Sequence, residues 1–132
     1  MSAGARSVLI VEDHVDSREL LAEFLEALGY EVSMAGHGQE ALELLRSGLR
    51  PSVVLLDLMM PVMSGWELME HVRADEGLCT LPVVVVSGAG EAQPLPSGIC
   101  GAVPKPVDLD ALRTAVEEAT RSDDSPFGTG TA

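Results

Sequence analysis

The sequence predicts one α/β domain built on a doubly wound sheet of five parallel strands. Two observations carry this prediction: strand-like apolar runs alternate with amphipathic helical patterns, and several of the runs are almost continuously apolar. Such runs are typical of strands that are buried on both faces of a parallel sheet. The length of 132 residues and the hydrophobic content of 46% suit one globular domain of this kind.

The five predicted strands are short, and the first is a continuous apolar run rich in β-branched residues. Proline opens the fourth strand and closes the fifth, and a sheet tolerates its missing backbone donor at such first-residue or edge positions. In chain order the strands cover Ser7–Val11, Tyr30–Met34, Ser52–Leu56, Pro82–Val86 and roughly Gly101–Pro104.

Four helical patterns lie between and after these strands. The second covers Gln39–Ser47. Ser64 and Glu67 match the capping box that opens the third helix, and Asp108 is placed to cap the last. The first helix ends at Gly29 and carries a broad apolar stripe that we expect to face the sheet, made of Val15, Leu20, Leu21, Phe24, Leu25 and Leu28.

The segment Gly88–Gly98 interrupts the alternation, because a helix is due there and the sequence opposes one. Pro94 and Pro96 remove backbone donors, and three glycines raise the entropic cost of ordering a helix. The helix between the fourth and fifth strands is therefore expected to be shortened or missing.

Composition limits the partners of the chain. With 21 acidic and 8 basic residues the formal net charge is −13, which argues against direct binding to nucleic acid or anionic membranes. No apolar run approaches the roughly 18 residues of a membrane span, and the N-terminus lacks a signal-peptide core, so we expect a cytoplasmic protein. Residues 1–6 and 122–132 are expected to be disordered, which leaves 7–121 as the domain.

Polar residues stand at the carboxyl ends of four strands, where open α/β sheets carry their chemistry. Glu12 and Asp13 follow the first strand, Asp57 the third, Ser87 the fourth and Lys105 the fifth. Clustered carboxylates repel each other unless a cation relieves them, and an all-oxygen donor set favours Mg²⁺. Beside a cation and an ammonium group, a carboxylate could attack phosphorus and become an acyl phosphate.

These motifs, taken in order, resemble the receiver (phosphoacceptor) domains of response regulators in two-component signalling. The resemblance covers about residues 7–120 and implies a flavodoxin-like strand order of 2-1-3-4-5. The motifs that carry it are LIVEDH, LLDLMMPVMSGWEL, VVVVSG and PKP, with a further similarity at His37–Leu42.

The resemblance also implies a role for each site residue. Asp57 would be the phosphoacceptor, Ser87 and Lys105 would contact the phosphoryl group, and the bond before Pro106 would be cis. The donor would be a phosphohistidine on a histidine kinase or phosphotransfer protein, and the chain would accept phosphoryl groups without being a turnover enzyme. Mg²⁺ would be held by Glu12, Asp13, Asp57 and the backbone carbonyl of Met59.

The chain departs from the family pattern in two places. Ala102 occupies a switch position that usually holds Tyr or Phe, and the interval from Ser87 to Lys105 is short. We therefore expect signalling through Ser87 and the segment Gly88–Gly98, in a monomer with an unknown downstream partner. A stand-alone regulator is the favoured interpretation; the alternative is a receiver from a hybrid histidine kinase or a larger regulator.

Three other functions fit the sequence less well than a working receiver. A flavodoxin-type module would need a phosphate cradle where Glu12 and Asp13 would repel phosphate. A hydrolase with an aspartyl-phosphate intermediate would need a second domain to position its substrate. A degenerate receiver that only binds partners would have no use for an intact acid pair, Asp57, Ser87 and Lys105.

Three residues outside the motif set admit two interpretations. His14 could lie near the acid pair, but we interpret it as a solvated loop histidine. Cys79 and Cys100 precede strands that the family order makes neighbours, so they could approach disulfide distance. Two free thiols are the favoured interpretation in a reducing compartment.

Overall fold

The computed structural model describes residues 6–58, 63–88 and 98–124, and it contains the predicted sheet. All strand pairs are parallel, in the order β2-β1-β3-β4-β5, which confirms the doubly wound fold. The strands are β1 (Ser7–Val11), β2 (Glu31–Ala35), β3 (Val53–Asp57), β4 (Val83–Ser87) and β5 (Gly101–Pro104). Three of them, β2, β3 and β4, begin and end one residue later than the sequence predicts.

The described part of the chain holds four helices that sort onto the two faces of the sheet. Because successive strand residues point to opposite faces, the sheet separates two apolar cores. In β1, Leu9 and Val11 pack beneath α2 and α3, whereas Val8 and Ile10 pack beneath α1 and α4. The helices are α1 (Val15–Ala27), α2 (Gly38–Arg46), α3 (Gly65–Ala74) and α4 (Leu109–Asp124).

The predicted apolar stripe of α1 is too broad. Leu21 and Leu25 are buried with Ala22 between them, but Leu20 is 56% exposed and Val15 is 51% exposed. These three buried residues form one narrow line, so the contact of α1 with the sheet is centred there. The outer members of the predicted stripe, Val15, Leu20 and Leu28, therefore face outward.

Side-chain hydrogen bonds cap the N-termini of α2 and α3. The capping box at Ser64 and Glu67 is present, and His37 accepts a hydrogen bond from the Glu40 backbone N–H to cap α2. Helix α4 runs through Asp124, three residues into the segment expected to be disordered. A shortened or missing helix is expected between β4 and β5. That prediction falls on residues 89–97, which lie outside the described residues.

Cys79 and Cys100 are both free thiols at the amino-terminal ends of β4 and β5. They line one surface cavity of about 580 Å³. Arg73 connects the two segments, because its guanidinium donates to the backbone oxygens of Cys79 at 2.7 Å and Gly98 at 2.6 Å. None of the described helices is long and apolar enough to cross a membrane.

Gly65 begins α3 at the point where this helix meets the end of β3. Its N–H donates to the Leu58 backbone oxygen at 3.0 Å. A Cβ at this position would lie 2.7 Å from Leu58 Cα and 2.9 Å from the Asp57 backbone oxygen. Only glycine allows this approach, which places the start of α3 beside Asp57.

We expect Gly65→Ala to lower the free energy of unfolding by about 2–3 kcal/mol, because the added methyl group must push α3 away from backbone atoms. Gly77→Ala is the matched control, since the nearest contact of its Cβ is a side-chain oxygen of Asp75 at 3.4 Å. Urea unfolding followed by circular dichroism measures both variants. Equal stability of the two variants would contradict the close approach.

Candidate functional site

The sheet brings three of the predicted site residues into direct contact at the carboxyl ends of its strands. Glu12 follows β1, Asp57 is the last residue of β3, and Lys105 follows β5. Ser87 ends β4, where its backbone oxygen accepts a 2.9 Å hydrogen bond from the Lys105 N–H. The neighbouring strands β1, β3, β4 and β5 thus place all four residues along one edge.

Asp57 and Lys105 form the central ion pair of this edge. Asp57 is only 2% exposed, and the Lys105 Nζ donates to its Oδ1 at 3.1 Å and its Oδ2 at 3.2 Å. The lysine side chain is 35% exposed, so the ammonium reaches the buried carboxylate from the rim. A buried carboxylate needs such a partner, because an uncompensated charge in the interior costs several kcal/mol.

A second buried carboxyl group, that of Glu12, lies against Asp57. Burial raises the pKa of Glu12 above its ordinary value of 4.5, and the hydrogen bond from the His14 backbone N–H opposes this. The Asp57 carboxylate raises the pKa of Glu12 further, by its charge and by a shared hydrogen bond. The Glu12 carboxyl is therefore harder to ionise in this desolvated space, beside Asp57, than it is in water.

Asp13 completes the acid cluster with an unsatisfied atom. Its Oδ1 is buried and has no hydrogen-bond partner among the described residues. The nitrogen Nδ1 of His14 lies 3.5 Å from it, at the outer limit of a hydrogen bond. A buried carboxylate oxygen without a donor is the feature that a bound cation would satisfy.

Sequence reasoning missed one residue of the site, Arg18, and its favoured interpretation of His14 as a solvated loop histidine is incomplete. His14 is 72% exposed, as a loop histidine would be, but its Nδ1 lies 3.2 Å from Glu12 Oε2. The Arg18 guanidinium reaches back from α1 to donate to the Glu12 backbone oxygen at 2.9 Å. The signal was available for Arg18, because it stands in the first turn of the helix that follows the acid pair.

The remaining predicted positions lie around this cluster. The bond between Lys105 and Pro106 is cis, the geometry that the family resemblance implies. Ala102 is exposed on β5, whereas its neighbour Val103 is buried. Met59 falls within residues 59–62, outside the described residues.

Three comparisons with known proteins bear on this site. Residues 8–117 match the family model described as response regulator receiver domain. The chain is 41% identical over 110 residues to the sensor histidine kinase RcsC of Salmonella typhi, across 80% of this chain but only 11% of RcsC. It is 34% identical over 108 residues to the polar-differentiation response regulator DivK of Brucella anthropi, across 79% of this chain and 87% of DivK.

The fold also matches solved receiver structures. The signal receiver domain of a signal transduction histidine kinase from Syntrophus aciditrophicus superimposes with a TM-score of 0.85 and 27% sequence identity, covering 97% of this chain and 99% of that one. The matched family region contains the ion pair and the acid cluster described above. The chain therefore belongs to the response regulator receiver domain family.

Proposed function

We propose that this protein is a phosphoacceptor that receives a phosphoryl group on Asp57 from a phosphohistidine of a histidine kinase or phosphotransfer protein. One observation carries the proposal: the Lys105 ammonium holds both oxygens of a carboxylate that is almost fully buried beside two further acids. A structural ion pair needs no such concentration of negative charge. Phosphoryl transfer needs a nucleophilic oxygen next to a cation that can stabilise the negative charge developing on the phosphoryl oxygens.

The acid cluster fits a Mg²⁺ ion. Its donors are carboxylate oxygens, which suit a hard cation, and the buried Asp13 Oδ1 has no hydrogen-bond donor within the described part of the chain. Asp13 and Asp57 would hold the ion together with Glu12, and family resemblance adds the Met59 carbonyl. When bound, Mg²⁺ supplies positive charge that neutralises phosphoryl oxygens and lets the carboxylates stay ionised together.

The chain's own residues perform the transfer. An Asp57 carboxylate oxygen attacks phosphorus, the phosphorus–nitrogen bond of the donor breaks, and the donor imidazole leaves with the bonding electron pair. The product is an acyl phosphate on Asp57, and the Lys105 ammonium turns from the carboxylate to a phosphoryl oxygen. Ser87, at the end of β4, offers its hydroxyl to the same group. Because the acceptor is consumed once, the protein is a phosphoacceptor and not a turnover enzyme.

A stand-alone cytoplasmic regulator is the form we propose. The match to DivK extends over 87% of that response regulator, whereas the match to RcsC is confined to 11% of a much longer kinase. The alternative, a receiver within a hybrid kinase, is favoured by the higher identity to RcsC, 41% against 34%. Both forms use the same Asp57 chemistry.

The first prediction concerns the crowded acids in the metal-free protein. We expect Glu12→Gln to raise the free energy of unfolding by about 1 kcal/mol in excess chelator, because the variant removes a desolvated charge and offers Asp57 an amide donor. Since the folded state binds the Glu12 proton more tightly than the unfolded chain, wild-type stability falls as pH rises through the raised pKa. The advantage of the variant should therefore vanish below about pH 4.5.

Chemical unfolding at neutral and acidic pH measures this difference. Glu23→Gln, on the exposed side of α1, is the matched control and should leave stability unchanged. A Glu12→Gln variant no more stable than wild type at neutral pH would show that the acids are not in conflict.

The second prediction concerns the acceptor itself. Incubation with acetyl phosphate should add one phosphoryl group to the intact mass, only when Mg²⁺ is present. Asp57→Asn should abolish the adduct, and Lys105→Ala should slow its formation by about 10²-fold, the usual cost of losing one charge-stabilising donor. Asp110→Asn, which changes an aspartate with an 89% exposed side chain, is the control. An adduct that forms in Asp57→Asn or in excess chelator would contradict the assignment of Asp57 as a Mg²⁺-dependent phosphoacceptor.

The third prediction concerns signalling. Because Ala102 cannot act as an aromatic switch, phosphorylation should act through Ser87 on the segment Gly88–Gly98, in a protein that stays monomeric. Hydrogen exchange with beryllofluoride and Mg²⁺ should show changed protection at residues 88–98. Changes confined to α4, or conversion to a tight dimer, would place the output on another surface.

A further inference from the structure

The His14 imidazole lies within the acid cluster, although family resemblance assigns it no role. Its Nδ1 is 3.2 Å from Glu12 Oε2 and 3.5 Å from Asp13 Oδ1. One donor atom from each of these three residues lies within 4.8 Å of the other two. The cluster therefore offers nitrogen as well as oxygen.

These separations suit ligands of one ion. Donors about 2.1 Å from a six-coordinate ion stand about 3 Å apart when adjacent and about 4.2 Å apart when opposite. The two distances from His14 Nδ1 to the carboxylate oxygens, 3.2 and 3.5 Å, are close to the adjacent case. Asp13 Oδ1, which has no hydrogen-bond partner among the described residues, is one of the two oxygens involved.

The His14 side chain could bind a cation without uncapping α1. His14 is the residue before α1, but its side chain makes no capping hydrogen bond. Its side chain is 72% exposed and is anchored through its own backbone N–H, which donates to Glu12 Oε2 at 3.1 Å. The main chain thus holds the imidazole beside the carboxylates, and a metal bond at Nδ1 would replace the 3.2 Å hydrogen bond that joins this nitrogen to Glu12 Oε2.

We propose that His14 is a specificity-determining ligand that makes this cation site favour first-row transition ions, such as Mn²⁺, over Mg²⁺. Mg²⁺ prefers oxygen donors and keeps its waters, whereas an imidazole nitrogen adds affinity for transition ions. The inference rests on the proposed cation site and concerns which ion fills it. It assigns His14 a direct bond to the metal through Nδ1.

Two measurements on the full chain test the proposal. The first is the pulsed electron paramagnetic resonance spectrum of bound Mn²⁺, which reports a coordinated imidazole as ¹⁴N modulation. The second is the calorimetric affinity for Mn²⁺ and for Mg²⁺. Both compare wild type with His14→Ala and with His71→Ala, which removes an exposed imidazole on α3. Unfolding curves check that the variants are folded.

We expect ¹⁴N modulation in wild type and in His71→Ala but not in His14→Ala. The His14→Ala variant should bind Mn²⁺ about tenfold more weakly, the low end for loss of a metal-site partner, while its affinity for Mg²⁺ is unchanged. Mn²⁺ binding without ¹⁴N modulation, or with an unchanged preference between the two ions in His14→Ala, would overturn the role of His14 and leave the cation site standing. Failure of both ions to bind wild type would overturn the cation site as well.

Discussion

The burial of the Asp57 carboxylate is the constraint that determines which side chains surround it at the carboxyl ends of the strands. Asp57 is 2% exposed at the end of the central strand β3, so its charge must be compensated by groups that the fold supplies. The Lys105 ammonium, 48 residues away in sequence, supplies that compensation through two hydrogen bonds. Lys105 reaches it because the ladder joins β5 to β4 and β4 to β3.

The two apolar cores make this arrangement rigid. The three inner strands, β1, β3 and β4, are covered on both faces, so their ends cannot move independently of the helices packed on them. The contact between Gly65 and Leu58 extends this rigidity to the residues next to Asp57. The fold itself therefore holds the side chains of the site in place, and the cost of this arrangement is the repulsion between neighbouring acids.

The edge of the sheet at β5 differs from the family pattern in a way that matters for output. Ala102 is exposed there, and small side chains on β5 and α4 leave a surface cavity of about 420 Å³. An aromatic side chain at this position could rotate into the cavity. Alanine has no side-chain rotamers, so it cannot make such a movement. The phosphorylation proposed at Asp57 would therefore have to act through the backbone or through another side chain.

The sequence by itself determined the fold class, the chain order of the strands and the polar residues at the carboxyl ends of the strands. Apolar runs alternating with helical patterns require a sheet covered on both faces, and in such a sheet polar residues after the strands must meet at one edge. The assignment of Asp57 and Lys105 to one site followed from that rule. The strand order came from the family resemblance, and the sheet confirms it.

Only the tertiary structure decided which side chains touch. The narrow contact of α1 with the sheet depends on how the helix is oriented over the strands, and no periodicity in the sequence encodes that orientation. The return of His14 and Arg18 to Glu12 depends on where α1 begins and on the angle at which it leaves β1. The conflict between Glu12 and Asp57 depends on a shared desolvated volume, which exists only once β1 and β3 lie side by side.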